Sequence, residues 1–193
     1  MTTKTQCLQM IRSLGIFGLI LGLLSGSLME LSAQKSLVAY FSLLGGITQS
    51  VAREVHQQVG GDIFRIEALE EYPSSYREVV DRAKRERDQQ LLPPLRTTLD
   101  SLPYDTIYLC TPIWLGQLPA PVRTFLATYY FEGKVVVPIA TSGGSKIEKL
   151  IPHLKRAIPS ARLMNGLWIH RNEVDNSTNR IACWLATLKP LAP

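Results

Sequence analysis

Charge is scarce in this chain: 19% of its 193 residues are Asp, Glu, Lys or Arg, and no block of like charge occurs. That excludes a polyelectrolyte tail or an acidic disordered domain. Cysteine is rarer still, with three residues. Two would remain beyond the N-terminal segment, too few for a disulfide framework and without the paired His or Cys spacing of a zinc site. Cys110 ends an apolar strand-like run and Cys183 lies on an apolar helical face, so both are expected to be buried free thiols. No unbroken apolar stretch reaches the roughly 20 residues of a spanning helix. No segment repeats with a period of about 20 to 50 residues, which excludes solenoids and propellers. What is present is 46% hydrophobic sequence, ordinary for one globular domain with its own core.

The N-terminal segment stands apart. Lys4 and Arg12 are its only basic residues, and Leu14 to Leu24 is continuously apolar. Ser25, Gly26 and Ser27 follow, and Leu31-Ser-Ala33 precedes Gln34. A basic start, a short apolar run and a small residue at a cut site predict a secretory signal over residues 1–33. The chain is then expected to be exported, periplasmic or secreted. Retention of the segment as a membrane anchor, the only basis for a membrane association, and a buried N-terminal helix are the alternatives. No Cys follows the run to serve as a lipid attachment site. The formal charge is +5, but basic and acidic residues interleave, as in Tyr76 to Asp88. That helix reads as a solvated face rather than a nucleic-acid surface.

From Lys35 onward, short apolar runs alternate with segments of helical period. Ser36–Phe41, Ile63–Ile66, Thr106–Thr111 and Lys134–Ala140 predict strands, and Arg162–Ile169 a fifth strand or strand pair. Helices are expected over 48–59, 75–89, 120–130, 145–157 and 175–188. Strand then helix, five times, predicts an α/β domain over 35–190 with a parallel sheet covered on both faces. Ligands of such sheets bind at the carboxyl ends of the central strands. The loops after strands one, three and four are therefore the candidate site.

The first loop, Ser42 to Thr48, offers glycines and hydroxyls ahead of a helix N-terminus, an anion-binding arrangement. It lacks the lysine of a triphosphate loop and the G-x-G-x-x-G of dinucleotide sites. A plain turn with Thr48 as N-cap is the competing reading. The second loop, Thr111 to Val122, carries Trp114 between proline and glycine, suited to a flat apolar ligand. A Trp packed on the sheet edge is its alternative. The third, Thr141-Ser-Gly-Gly-Ser145, offers backbone groups to a polar heterocycle. His56, His153 and His170 are placed away from all three loops.

Leu37–Ser42, Thr111–Gly116, Pro119–Leu126, Thr141–Ser145 and the Gly166-Leu-Trp-Ile…Glu173-Val-Asp-Asn176 segment resemble the flavodoxin family, in particular its short-chain bacterial branch. The similarity spans Leu37 to Leu188 in the family's order. It implies a flavodoxin-like three-layer α/β/α sandwich with a five-stranded parallel sheet of order 2-1-3-4-5, and flavin mononucleotide (FMN) as cofactor. By position, Ser42, Gly45, Gly46 and Thr48 would surround the phosphate. Thr111, Pro112, Ile113, Trp114 and Gly116 would line the isoalloxazine ring. Ser142, Gly143, Gly144 and Ser145 would close its pyrimidine side. Apolar walls there would lower the flavin potential.

The phosphate loop departs from the family pattern: Leu44 stands where the middle hydroxyl belongs, and Ile47 lengthens the loop by one residue. The third loop has no aromatic residue to sandwich the ring, which leaves one face open. The chain is also basic where the family is usually acidic. The resemblance thus implies an FMN-binding electron carrier, whose partner is a redox protein or a small acceptor such as a quinone. An FMN-dependent NAD(P)H:quinone-type reductase and a flavin-free binding module are the alternatives. No metal site and no catalytic acid or base are expected.

Overall fold

Residues 36–40 put Leu37 and Ala39 on one side of the strand and Val38 and Tyr40 on the other, and both sides are buried. Strands apolar on both faces belong in the middle of a parallel sheet, and this one is central. The computed structural model describes residues 35–43 and 45–188. The expected signal over 1–33, Leu44, and residues 189–190 of the expected domain lie outside the described residues.

The strands are β1 (Ser36–Tyr40), β2 (Asp62–Arg65), β3 (Thr106–Pro112), β4 (Val135–Ser142), β5 (Arg162–Leu163) and β6 (Leu167–His170). They form one parallel sheet in the order 2-1-3-4-5, with β6 also paired to β4. The Arg162–Ile169 segment is thus a strand pair: β5 runs beside Val135 and Val136, and β6 beside Ile139 to Ser142.

Helix α1 (Ile47–Val59) and the last helix, α5 (Thr178–Thr187), cover one face. Val51, Ala52, Val55 and Ile181 pack there on Val38, Cys110 and Ile139. Helices α3 (Ala120–Thr128) and α4 (Ile151–Ala157) cover the other, where Phe125 and Leu154 meet Leu109 and Val136. Helix α2 (Tyr76–Asp88) packs beside α3. The architecture is the three-layer sandwich expected from the sequence.

Three elements depart from expectation. The fourth helix does not open at Ser145. A 3-10 turn at Ile147–Lys149 comes first, and α4 restarts with Pro152 in its first turn, where a missing amide costs nothing. Strand β4 extends through Thr141 and Ser142, because β6 supplies ladder partners in Ile169 and His170. The last helix is preceded by a 3-10 turn at Arg171–Asn176. Cys110 is a fully buried free thiol, its ionisation pushed up by burial. Cys183 is not enclosed in this way: it is only half-buried.

Edge strand β2 is held against β1 by close backbone approach. At Gly61 (φ +79°) an added Cβ would lie 2.2 Å from the Ser36 carbonyl oxygen. Gly61→Ala is therefore expected to lower unfolding free energy by at least ~2 kcal/mol, through both φ strain and displacement of β1. Urea denaturation followed by far-UV circular dichroism measures it.

Candidate functional site

The carboxyl ends of β1, β3 and β4 open into a cleft of about 300 Å³. Its polar end is set by α1. Gly46, in the left-handed conformation (φ 69°, ψ 12°), is the N-cap, and no side chain caps the helix. The first amides of α1 therefore have no partner within the helix. Thr48 is not the N-cap. It sits inside the first turn, buried, with its hydroxyl 2.8 Å from that of Thr141 on β4. Ser42, at the start of the loop, is 7% exposed, and its Oγ has no hydrogen-bond partner. A buried, unpaired hydroxyl normally costs on the order of 1–3 kcal/mol.

The other end is apolar, and Trp114 dominates it. Trp114 and Gln117 exchange backbone hydrogen bonds of 3.0 and 2.9 Å. The tight turn between them places Leu115 at φ 50° and Gly116 at φ 79°. Both central residues at positive φ is the mirror-image turn that suits Gly second and strains Leu first. The turn lifts Leu115 into the mouth of the cleft, 41% exposed. Behind Trp114 stand Phe41 and Tyr72, edge-on with ring centroids at 5.3 and 5.4 Å. Trp114 thus lines the cleft with one side and packs toward the core with the other.

Tyr72 is itself fixed by α2. Its hydroxyl donates to Glu86 Oε2 at 2.6 Å, and the Arg82 guanidinium lies 4.0 Å over its ring. Arg82 Nε donates to Glu86 Oε1 at 2.8 Å and its terminal nitrogens donate to the Glu71 and Glu70 carbonyls. Arg82 and Glu86 are 8% and 4% exposed, so this part of α2 is not the solvated face that its mixed charges suggested. The helix is instead buried through an ion pair whose spare donors and acceptors are used. Burial lowers the Arg82 pKa, but the hydrogen bond and charge of Glu86 outweigh it and the net shift is upward. Burial, then the Glu86 hydrogen bond, drives the Tyr72 phenol well above its ordinary value. It stays protonated and remains a donor.

The third loop satisfies most of its own polar groups. Ser142 Oγ accepts from Gly144 N–H at 3.1 Å and from Trp168 Nε1–H at 2.9 Å, and donates to the Ser145 carbonyl. His170 is not remote from this loop. Its Nδ1 accepts from Asn172 N–H, which leaves Nε2 to donate to the Gly143 carbonyl at 3.1 Å. Ser142, Gly144 and the Gly143 carbonyl are thus committed to building the loop, not to offering groups outward as the sequence reading had them. Arg171 lies beside Gly143 and reaches into the cleft.

Of the residues singled out in the sequence, Thr48, Pro112, Ile113, Trp114, Ser142 and Gly143 line the cleft. Thr111 is fully buried beneath it. Gly45, Gly46 and Gly116 shape its turns, and Gly144 and Ser145 form the exposed end of the third loop. Ser42 faces an adjoining hollow, with Leu43 shared between the two. Sequence reasoning missed Tyr76, Val79, Val80 and Ala83 of α2, which also line the cleft. Their spacing of i, i+3, i+4 and i+7 is a helical stripe that was there to be read. Among the described residues, no group of three or more His, Cys, Asp or Glu could hold a metal ion, and no helix is long and apolar enough to cross a membrane.

A parallel sheet of this order, with its cleft at the switch point between β1 and β3, defines a flavodoxin-like α/β protein. The flavodoxin family model matches residues 35–188, and the chain belongs to that family. It is similar to a flavoprotein of Bacteroides uniformis ATCC 8492 at 32% identity, covering 74% of this chain and 96% of that one, with a TM-score of 0.66. A flavoprotein of Bacteroides eggerthii DSM 20697 gives 29%, 78% and 99%, with 0.65. A flavoprotein of Lactobacillus acidophilus NCFM, solved in complex with FMN, is 21% identical over 75% of this chain and 98% of its own, with a TM-score of 0.60, and shares the fold. No curated protein matches the chain.

Removing one partner of the buried pair leaves the other charge stranded. Glu86→Ala is expected to cost about 3 kcal/mol of stability and to broaden the near-UV circular dichroism of Trp114, as chemical denaturation and spectra of the folded variant would show. Gly116→Ala, with open space around the new methyl group, is expected to cost ~1–2 kcal/mol from φ strain alone, read in the same way.

Proposed function

We propose that this chain binds FMN non-covalently in the cleft and serves as an exported electron carrier. The observation that carries the reading is the cleft's polarity: a helix N-terminus at one end and a Trp-lined apolar slot at the other. That is the layout of a ligand with an anionic tail and a flat ring.

The residues present fit such a ligand. Ser42 Oγ is buried with no partner on the hollow that adjoins the cleft at Leu43, and a phosphate oxygen reaching that boundary would satisfy it. The opening amides of α1, with the helix dipole behind them, are donors to the same anion. Pro112, Ile113 and Trp114 form one wall of the apolar half, and Val79, Val80 and Ala83 line it from α2. These side chains would orient the ring and keep water from it. Bound there, FMN would supply the redox chemistry, and the protein its position and surroundings. No acid or base is asked of the chain.

Export rests on the N-terminal sequence, and an exported chain would meet a redox protein or a small acceptor such as a quinone. A second reading, an NAD(P)H-dependent reductase, is favoured by the openness of the cleft mouth, where Tyr76 is 74% exposed. Steady-state NAD(P)H oxidation by the pure flavin-loaded protein separates the two: a carrier turns over only with an added reductase.

Protein purified from its own compartment is expected to be yellow, to release FMN on denaturation, and to begin after Ala33. Trp114→Ala should weaken FMN binding about tenfold or more in a fluorescence titration, since aromatic contact and apolar burial are both lost. Trp184→Ala, half-buried on α5 in the opposite layer, should lower stability and leave FMN affinity unchanged. Unaltered affinity in the Trp114 variant, or colourless wild-type protein that does not quench FMN fluorescence, would refute the reading.

A further inference from the structure

Among the described residues, the cleft is lined by one cationic side chain, Arg171, and it makes no hydrogen bond or ion pair there. Arg171 opens the 3-10 turn that follows β6, and that turn packs against α1, whose unpaired amides form the cleft's polar end. Its guanidinium lies across Gly143: a Cβ added at that glycine would stand 3.2 Å from Nε and 3.3 Å from Cζ. Even a methyl group at 143 would press on the guanidinium, which would have to give by a few tenths of an ångström. The backbone on either side of Arg171 is pinned. His170 Nε2 bonds the Gly143 carbonyl at 3.1 Å, and His170 Nδ1 accepts from Asn172 N–H at 3.2 Å. Arg171 therefore projects from a fixed base rather than from a loose loop.

The loop ahead of α1 is short of what a phosphate dianion needs. Residues 42–50 contain no Lys or Arg, and their hydroxyls are those of Ser42, Thr48 and Ser50. The hydroxyl of Thr48 is already engaged by Thr141. Helix-terminal amides and one serine hydroxyl supply partial charge, whereas a guanidinium supplies a full one in a fork that matches two phosphate oxygens.

We propose that Arg171 is the counter-charge for the ligand's phosphomonoester, supplying from the turn after β6 the full positive charge that the first loop does not contain. The inference rests on the FMN reading above and assigns its phosphate a partner outside the expected loop. The phosphate is then gripped from two sides, by α1 and by the turn after β6. The guanidinium lies beside Gly143, in the loop after β4, on the cleft that Thr48 and Thr141 also line.

Titration of the full chain with FMN, with riboflavin and with inorganic phosphate tests this, using wild type, Arg171→Gln and Arg171→Lys. In Arg171→Gln, FMN affinity should fall about tenfold or more while riboflavin affinity is unchanged, and Arg171→Lys should recover part of the loss. Wild-type FMN affinity should also fall more steeply with salt than that of the Gln variant, and inorganic phosphate should compete with FMN more weakly in the variant. Equal weakening of FMN and riboflavin would place Arg171 on the ring and overturn the proposal, as would no change in either. Wild type that binds neither flavin would instead remove the FMN reading itself. The Arg171 side chain is exposed and bonds to no described residue, so unchanged thermal stability of the variants is expected and keeps the comparison clean.

Discussion

The ladder between β3 and β4 is the constraint on which the rest of the molecule depends. It joins seven residue pairs, from Thr106 with Val135 to Pro112 with Thr141. Nearly all of its side chains are buried, because helices cover both faces. Backbone groups in such a place must be bonded within the sheet. The polar chemistry of the chain is thereby driven to where the ladder stops. One further bond, Ile113 N–H to the Thr141 carbonyl at 2.9 Å, carries the register past the end of β3. The Thr48 hydroxyl then ties α1 to the same residue of β4. Three loops distant in sequence are in this way held around Thr141, and no loop needs to be rigid on its own account.

The Trp114 wall depends on a second arrangement, one layer away. An Arg–Glu pair buried in α2 adds little to stability on balance, since the cost of removing both charges from water offsets their attraction. Its geometric effect is larger. Glu86 takes the Tyr72 hydroxyl, Arg82 covers the Tyr72 ring, and Tyr72 with Phe41 meets Trp114 edge-on. Each contact limits the rotamers of the next. The Trp is held upright at the cleft although its own turn is strained at Leu115.

Most of the architecture was legible because parallel strands announce themselves as short runs apolar on both faces, as Ser36–Tyr40 and Thr106–Pro112 do. The third loop's sequence marked the site, but not its hydrogen bonds. Nothing local in Thr141-Ser-Gly-Gly-Ser145 tells that Trp168 and His170 will occupy its acceptors from β6. That is tertiary information. Helix α2 misled for a different reason. Charged residues at i, i+4 are usually paired in solvent, and only the fold reveals that Arg82 and Glu86 are enclosed. The apolar stripe Tyr76, Val79, Val80 and Ala83 lay in plain view on the same helix, overshadowed by its charges. The end of β4 is hidden in the sequence because Thr and Ser before two glycines look like a loop until β6 arrives to pair with them.

Among the described residues, strand β2 sits at the rim of the sheet with only β1 beside it, and it is four residues long. Its outer row of amides and carbonyls is the sort of unpaired ribbon on which another chain could stack. Asp62 and Arg65 bracket it with opposite charges, and Tyr104 donates to the Asp62 carboxylate at 2.9 Å, laying a ring near the strand's start. A short rim bounded by ions is a poor template for neighbouring chains. The molecule can thus keep an open border without inviting its copies to zip together along it, which matters for any protein that folds at high local concentration.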